Sequence, residues 1–244
     1  CSQALIQAGV ARVVYAVSDP NPKAQGGAEA LRAEGIEVEH LETEVWAEFP
    51  NRRWLKWIRT GKPWVTLKMA ITLDGKAAHH DGQSKWITSE EAREEAHRLR
   101  ALHGAVLVGR GTVQQDDPQL TARIPGVLNP PTRVVLDRGG KLTGQEKVFN
   151  SDAPTLHLTD DLSLSEVLQQ VGMAVLVEGG PTLARQFLSE GLVDEFVLFV
   201  APRVFGEGQT WLPEGDPLLR SFELQESRMV GQDLMLTYTP QNQA

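Results

Sequence analysis

The segment Val175-Leu176-Val177-Glu178-Gly179-Gly180-Pro181-Thr182-Leu183 puts a carboxylate, two glycines and a proline where a buried strand meets a helix. Proline suits the first helical turn, because an N–H there has no intrahelical partner to lose. Glycines at such a junction let an anion reach the free amides of the helix N-terminus, which supply donors and partial positive charge. That chemistry suits a cofactor phosphate, but two glycines also make an ordinary tight turn, and the segment alone leaves both readings open. Glu178 favours ligand contact, since a carboxylate closing a hydrophobic strand faces the cleft above the sheet.

A second junction, Val106-Leu107-Val108-Gly109-Arg110-Gly111-Thr112, again ends a strand in glycines, and Thr112 either donates to a phosphate or caps the next turn. It lacks the third glycine and the distant acidic residue of a dinucleotide fingerprint. Lys68 interrupts the apolar run Trp64 to Met69, so it either snorkels from a sheet edge or projects into a polar pocket. Arg100 and Arg123 are planar donors suited to bidentate phosphate contacts, though each taken singly reads as a solvated charge. Asp74-Gly75 reads as a structural turn. The 6 histidines show no metal spacing: His79 and His80 are adjacent, and neither His97 nor His103 has a second ligand at i+4.

The elements that must position these residues form two groups. A helical run to Ala8, a buried strand over Val10 to Val17, a helix over Ala28 to Ala33, a strand at Ile36 to Val38 and a helix from Val45 to Ile58 make a first α/β segment. Thr60-Gly61-Lys62-Pro63 interrupts it, which predicts units at residues 1–61 and 62–240. In the second, a helix over Ser89 to Leu102 and strands at Ala105 to Val108, Arg133 to Leu136, Thr155 to Leu158 and Ala174 to Val177 alternate, as a mostly parallel sheet requires. Phe196 to Val200, Phe222 to Ser227 and Leu234 to Tyr238 follow as strands that pair antiparallel. Gly206 to Pro217 reads as a surface loop.

A net charge of -8 over 244 residues argues against a general nucleic-acid surface, yet a few local basic groups suffice for an anionic small molecule. No run of about 18 apolar residues is present, so no membrane span is expected and a cytoplasmic location is the default. With one cysteine there is no internal disulfide framework. A first residue of Cys running into a helical pattern reads as the start of a fragment.

Thr66-Leu67-Lys68-Met69-Ala70, Leu73-Asp74-Gly75-Lys76, Ser84-x-Trp86-Ile87-Thr88, the run from Gly111-Thr112 through Asp116-Asp117-Pro118, Leu120-Thr121 and Arg123, and Glu178-Gly179-Gly180-Pro181 occur in that order. Together they resemble the bifunctional riboflavin-biosynthesis deaminase-reductase family. The resemblance implies a dihydrofolate-reductase-like α/β reductase domain in which NADPH delivers hydride to C1′ of a phosphorylated ribosylaminopyrimidine. It implies NADPH contacts at Ala70, Trp86, Thr112, Asp116 and Gly180, Pro181, Thr182, Leu183, Ala184, Arg185 and Gln186. Substrate contacts fall at Ser84, Arg100, Leu120, Arg123 and Glu178, with the two arginines on the 5′-phosphate. Lys68 matches the active-site lysine, and with Glu178 orients the ribose. Arg138 lies where relatives carry a small polar residue near the cofactor and is expected to pair with the 2′-phosphate.

The first segment resembles the tail of a zinc deaminase domain, with Cys1 matching its last zinc ligand, so zinc is expected only in an intact deaminase domain. Three readings remain open: a reductase, a deaminase-reductase, and a noncatalytic nucleotide-binding or dimerising scaffold. The late strands are expected to pair across a homodimer or higher oligomer.

Overall fold

Gly61 ends a helix with its backbone in the left-handed region (φ 67), its N–H bonded to the Trp57 carbonyl at 2.8 Å. Just beyond it the chain divides into two units, Cys1–Lys62 and Pro63–Ala244. The structure, a computed structural model, describes residues 1–41, 50–80, 86–215 and 220–241.

The first unit contains α1 (Ser2–Gln7), β1 (Arg12–Tyr15), α2 (Gly27–Ala33), β2 (Glu37–His40) and α3 (Arg52–Thr60). β1 and β2 pair in parallel. The expectation of a buried strand over Val10 to Val17 is corrected: only four residues are extended, and they alternate between exposed and half-buried. A two-stranded pair offers too little surface to cover a strand on both faces. Part of the helix expected from Val45 lies outside the described residues.

The second unit is built on β3 (Trp64–Thr72), β4 (Lys76–Ala78), α4 (Glu90–Ala101), β5 (Ala105–Gly109), α5 (Arg110–Asp116), β6 (Thr132–Leu136), β7 (Thr155–Leu158), α6 (Leu164–Leu168), β8 (Ala174–Val177), α7 (Pro181–Ser189), β9 (Glu195–Ala201), β10 (Gln209–Thr210), β11 (Phe222–Val230) and β12 (Asp233–Pro240). Eight strands form one sheet in the order β11-β12-β9-β3-β8-β5-β6-β7. From β9 to β7 every pairing is parallel, whereas β12 runs antiparallel to both β9 and β11. The central runs Val106–Val108 and Val175–Val177 are fully buried, as strands covered on both faces must be.

The loop expected from Gly206 is partly strand: β10 pairs antiparallel with β4. Gly208 makes this possible, since its φ is 146 and a Cβ there would stand 2.4 Å from the Ala78 carbonyl oxygen. Asp74 ties the same region together. Its carboxylate accepts from Thr72 Oγ1 at 2.6 Å and from the N–H groups of Phe205 and Gly206 at 3.2 and 2.8 Å. The Thr72 hydroxyl chiefly holds the carboxyl at about 2.

Arg133 is fully buried within β6. Its guanidinium donates to Asn150 Oδ1 at 2.7 Å, to the Gln119 carbonyl at 3.3 Å, and to the carbonyls of Asn150 and Ala153. It therefore clips the loop preceding Leu120 to the sheet. Arg133→Met takes this donor from the carbonyls of Gln119, Asn150 and Ala153 and lowers unfolding stability by about 3 kcal/mol. A lower urea midpoint with an unchanged slope checks this.

Candidate active site

Lys68 belongs to the central strand β3, not to an edge, which resolves the ambiguity in the sequence. β3 outruns its neighbour β8: Leu67 is paired with Val177, so Lys68 lies beside the residue that follows β8, Glu178. The period-2 alternation of a strand puts Lys68 and Ala70 on one face, and both line a cleft of about 570 Å³. The Lys68 ammonium is 5.6 Å from the centre of the Phe199 ring.

Across the cleft, α4 is capped by Ser89, whose Oγ accepts from the Ala92 N–H at 3.3 Å and donates to Asp233 at 2.6 Å. Arg93, His97 and Arg100 fall on one face of this helix at spacings of four and three residues, and all three line the cleft. Arg100 grips Glu178 with its whole fork: Nε donates to Oε1 at 2.6 Å and Nη2 to Oε2 at 2.8 Å. Its Nη1 donates to the Thr121 carbonyl at 3.2 Å. In this geometry Arg100 serves Glu178 first, while Arg123, exposed on the facing loop, donates to Gln119 Oε1 at 2.9 Å.

The charges of this cluster act on one another. Burial opposes ionisation of Glu178, but Arg100, through its charge and hydrogen bonds, and then Lys68 outweigh it and hold the carboxyl at about 2. For Lys68 burial is the largest effect and lowers its pKa; Glu178 opposes this and Arg100 adds to it. Glu178 is thus ionised at neutral pH beside a lysine that gives up its proton more readily than usual.

The far wall is α7. Its N-terminus begins at Gly180 with Pro181 in the first turn and no side-chain cap, so its first amides remain available to an anion. Gly179 is obligatory in this packing, since a Cβ would stand 2.5 Å from Leu183 Cδ2 and 2.9 Å from Leu183 Cβ. A Cβ on Gly180 would stand 3.8 Å from the Thr112 hydroxyl, which brings the two glycine junctions together. Thr112 is the third residue of α5, whose N-cap is Gly109, so it does not cap the turn.

Of the residues expected to contact NADPH, Ala70, Trp86, Thr112, Asp116, Gly180 and Pro181 line the cleft. Ala184 is fully buried in the core beneath α7, Arg185 donates to the Pro213 carbonyl at 3.0 Å, and Gln186 donates to Glu190 at 3.3 Å. Thr182 and Leu183 lie on the first turns of α7, Leu183 packed against the core. Arg138 sits outside the cleft lining, paired with Asp161 at 2.6 Å with both side chains exposed. Ser84 lies outside the described residues. Leu120 lines the cleft with φ 55, an unfavourable conformation for a leucine, and Arg133 anchors the Gln119 carbonyl just before it. His97 has no metal-ligand spacing in the sequence, and the helical pattern 93, 97, 100 is the signal that sets it beside Arg93 and Arg100 on the cleft.

Residues 63–236 match the family model described as the RibD C-terminal domain. The riboflavin biosynthesis protein RibD of Aquifex aeolicus is 41% identical over 91% of this chain and 69% of that protein. Its counterpart in Mycobacterium tuberculosis is 45% identical over 84% of this chain and 62% of that protein. The chain therefore spans about two thirds of the length of these relatives. A Thermotoga maritima crystal structure described as a diaminohydroxyphosphoribosylaminopyrimidine deaminase/5-amino-6-(5-phosphoribosylamino)uracil reductase superposes with TM-score 0.88 at 31% identity, over 98% of this chain and 74% of that one. A dihydrofolate reductase from Enterococcus faecalis shares the fold, with TM-score 0.50 at 15% identity over 73% of this chain and 97% of that one. The sheet, helices and family model thus agree, and the chain belongs to the RibD family of riboflavin biosynthesis through its C-terminal, dihydrofolate-reductase-like reductase domain.

Proposed function

We propose that residues 62–240 reduce the ribose of 5-amino-6-(5-phosphoribosylamino)uracil with NADPH, forming the ribityl product. The observation that carries this reading is the cluster Lys68, Glu178 and Arg100 at the foot of a cleft whose other wall is the uncapped start of α7. The available amides there and the bare Gly179-Gly180 backbone fit a cofactor pyrophosphate, with Ala70, Trp86, Thr112 and Asp116 completing its bed. The cofactor, when bound, supplies the hydride that reduces C1′.

The chain's own residues hold the ribose and manage the proton. Breaking the C1′–O4′ bond leaves an alkoxide that needs one proton. Glu178, ionised at neutral pH, cannot supply it, whereas the Lys68 ammonium releases a proton more easily than that of an ordinary lysine. Glu178 orients the ribose hydroxyls and keeps Lys68 protonated, and Arg100 fixes both Glu178 oxygens. Arg123 receives the 5′-phosphate, and Leu120 and Ser84 complete the substrate contacts. Because the Lys68 pKa lies below the usual lysine range, turnover falls on the alkaline side earlier than a solvent-exposed lysine would allow; a pH profile of kcat checks this.

Arg138 is the candidate partner of the cofactor's 2′-phosphate. Its exposed pairing with Asp161 is weak enough to exchange. Arg138→Ala is expected to reduce the preference for NADPH over NADH, and an unchanged ratio removes the assignment.

Residues 1–61 are read as the C-terminal part of a zinc deaminase domain that acts on the diaminopyrimidinone precursor, with Cys1 as a zinc ligand once the rest of the ligand set is present. No described helix is long and apolar enough to cross a membrane. A cytoplasmic, homo-oligomeric enzyme is the accompanying proposal. NADPH consumption that requires the aminopyrimidine ribose phosphate supports the reductase; tight NADPH binding with no turnover favours a scaffold instead.

A further inference from the structure

His97 sits on the cleft side of α4 between the two arginines. Its Nε2 is 3.2 Å from Arg123 Nη2, and a guanidinium can only donate, so Nε2 carries a lone pair. The proton of the neutral ring then belongs on Nδ1, which donates to the Thr121 carbonyl at 2.9 Å. In this tautomer the Arg123 backbone N–H, 3.2 Å from Nδ1, faces a protonated nitrogen and makes no hydrogen bond. Thr121 also accepts from Arg100, so one carbonyl joins the ring to the Glu178 clamp.

We infer that His97 is a proton-coupled arm of the anion subsite: when a phosphate dianion engages Arg123, Nε2 takes one proton from solvent and donates to a phosphate oxygen. The inference rests on the phosphate assignment in the proposed function and adds to it a residue and a proton. The groups that act on the ring are named by its surroundings. Burial, then Arg100 on its own helix and Arg123 on the facing loop disfavour the imidazolium, while the Thr121 bond and Glu178 at the end of β8 favour it. Lys68, Arg93, Asp116, Asp117 and Lys147 line the same cleft. A dianion that draws Arg123 away from Nε2 and offsets two positive charges reverses this balance, so the bound form binds more protons than the free one. Affinity for the anion must then rise as pH falls.

Phosphate itself titrates near pH 6, so inorganic sulfate, which stays a dianion, is the cleaner probe. The experiment follows the His97 ring by long-range proton–nitrogen NMR across pH 5 to about 8, with and without sulfate, and measures sulfate binding calorimetrically in two buffers of different ionisation enthalpy. The expected result is an upward shift of the His97 titration by about one unit, proton uptake near neutral pH, and sulfate affinity about tenfold tighter at the acid end. His97→Gln keeps a neutral polar side chain, and is expected to bind sulfate with no pH slope. A His97 titration unmoved by sulfate, an unchanged slope in His97→Gln, or no sulfate binding at millimolar concentration overturns the inference. These readouts need no turnover, so they stand apart from failure of the reductase assignment.

Discussion

Glu178→Gln is expected to lower kcat by about 10²–10³-fold while leaving the fold in place, since the glutamine keeps the shape but removes the charge that Arg100 and Lys68 face. Without that carboxylate the Lys68 ammonium loses the one effect that favours it, so its pKa falls further. Lys68→Ala removes the proposed proton donor and is expected to cost a comparable factor. The double variant loses little more than the worse single one, because the two residues act on the same step. Glu178 is held at about 2, so its contribution to stability is fully present above the ordinary carboxylate range and is lost only as pH falls through about 2. An acid limb in the pH profile between 5 and 7 therefore belongs to another group. Additive losses in the double variant would contradict this coupling.

Gly179→Ala is expected to displace the start of α7. The new Cβ would stand 2.5 Å from Leu183 Cδ2, but also 2.9 Å from Leu183 Cβ, which is fixed to the backbone of α7. A change of rotamer cannot relieve the second clash, so the start of α7 must shift. Such overpacking costs about 1–3 kcal/mol, and displacing the helix N-terminus raises the NADPH KM by about 10–100-fold. Gly111→Ala is the control: it lies in α5 with nothing within 4 Å of a new Cβ, and alanine there stabilises the helix by about 0.5–1 kcal/mol. Thermal unfolding and NADPH titration of the two variants separate the effects.

Part of the reductase fold was legible because two of its central strands, β5 and β8, are short apolar runs that meet glycines at their ends. Val106 to Val108 and Val175 to Val177 could only be buried, and their positions agree with the sheet almost residue for residue. The position of Lys68 was not legible, since edge and centre look alike until the strand order is known. Arg100 read as a surface charge because its partner, Glu178, is 78 residues away. β10 was hidden for a local reason: two exposed residues make no periodic pattern, and only the Gly208 conformation brings them to β4. Arg133, a charge within an apolar strand, gave no sign of the carbonyls it collects. The first unit was read less well, as β1 has the composition of a core strand without a layer to bury it.

In the proposed reaction, hydride reaches C1′ of the ribose in the cleft between Lys68 and α7. The most direct measurement incubates the protein with NADPH deuterated at the transferring carbon and 5-amino-6-(5-phosphoribosylamino)uracil, then locates the label in the product by NMR. One deuterium at C1′ of a ribityl chain, appearing about 10²–10³-fold more slowly with Glu178→Gln, is the predicted result. Deuterium on the pyrimidine ring, or product formed without any label, would contradict the account.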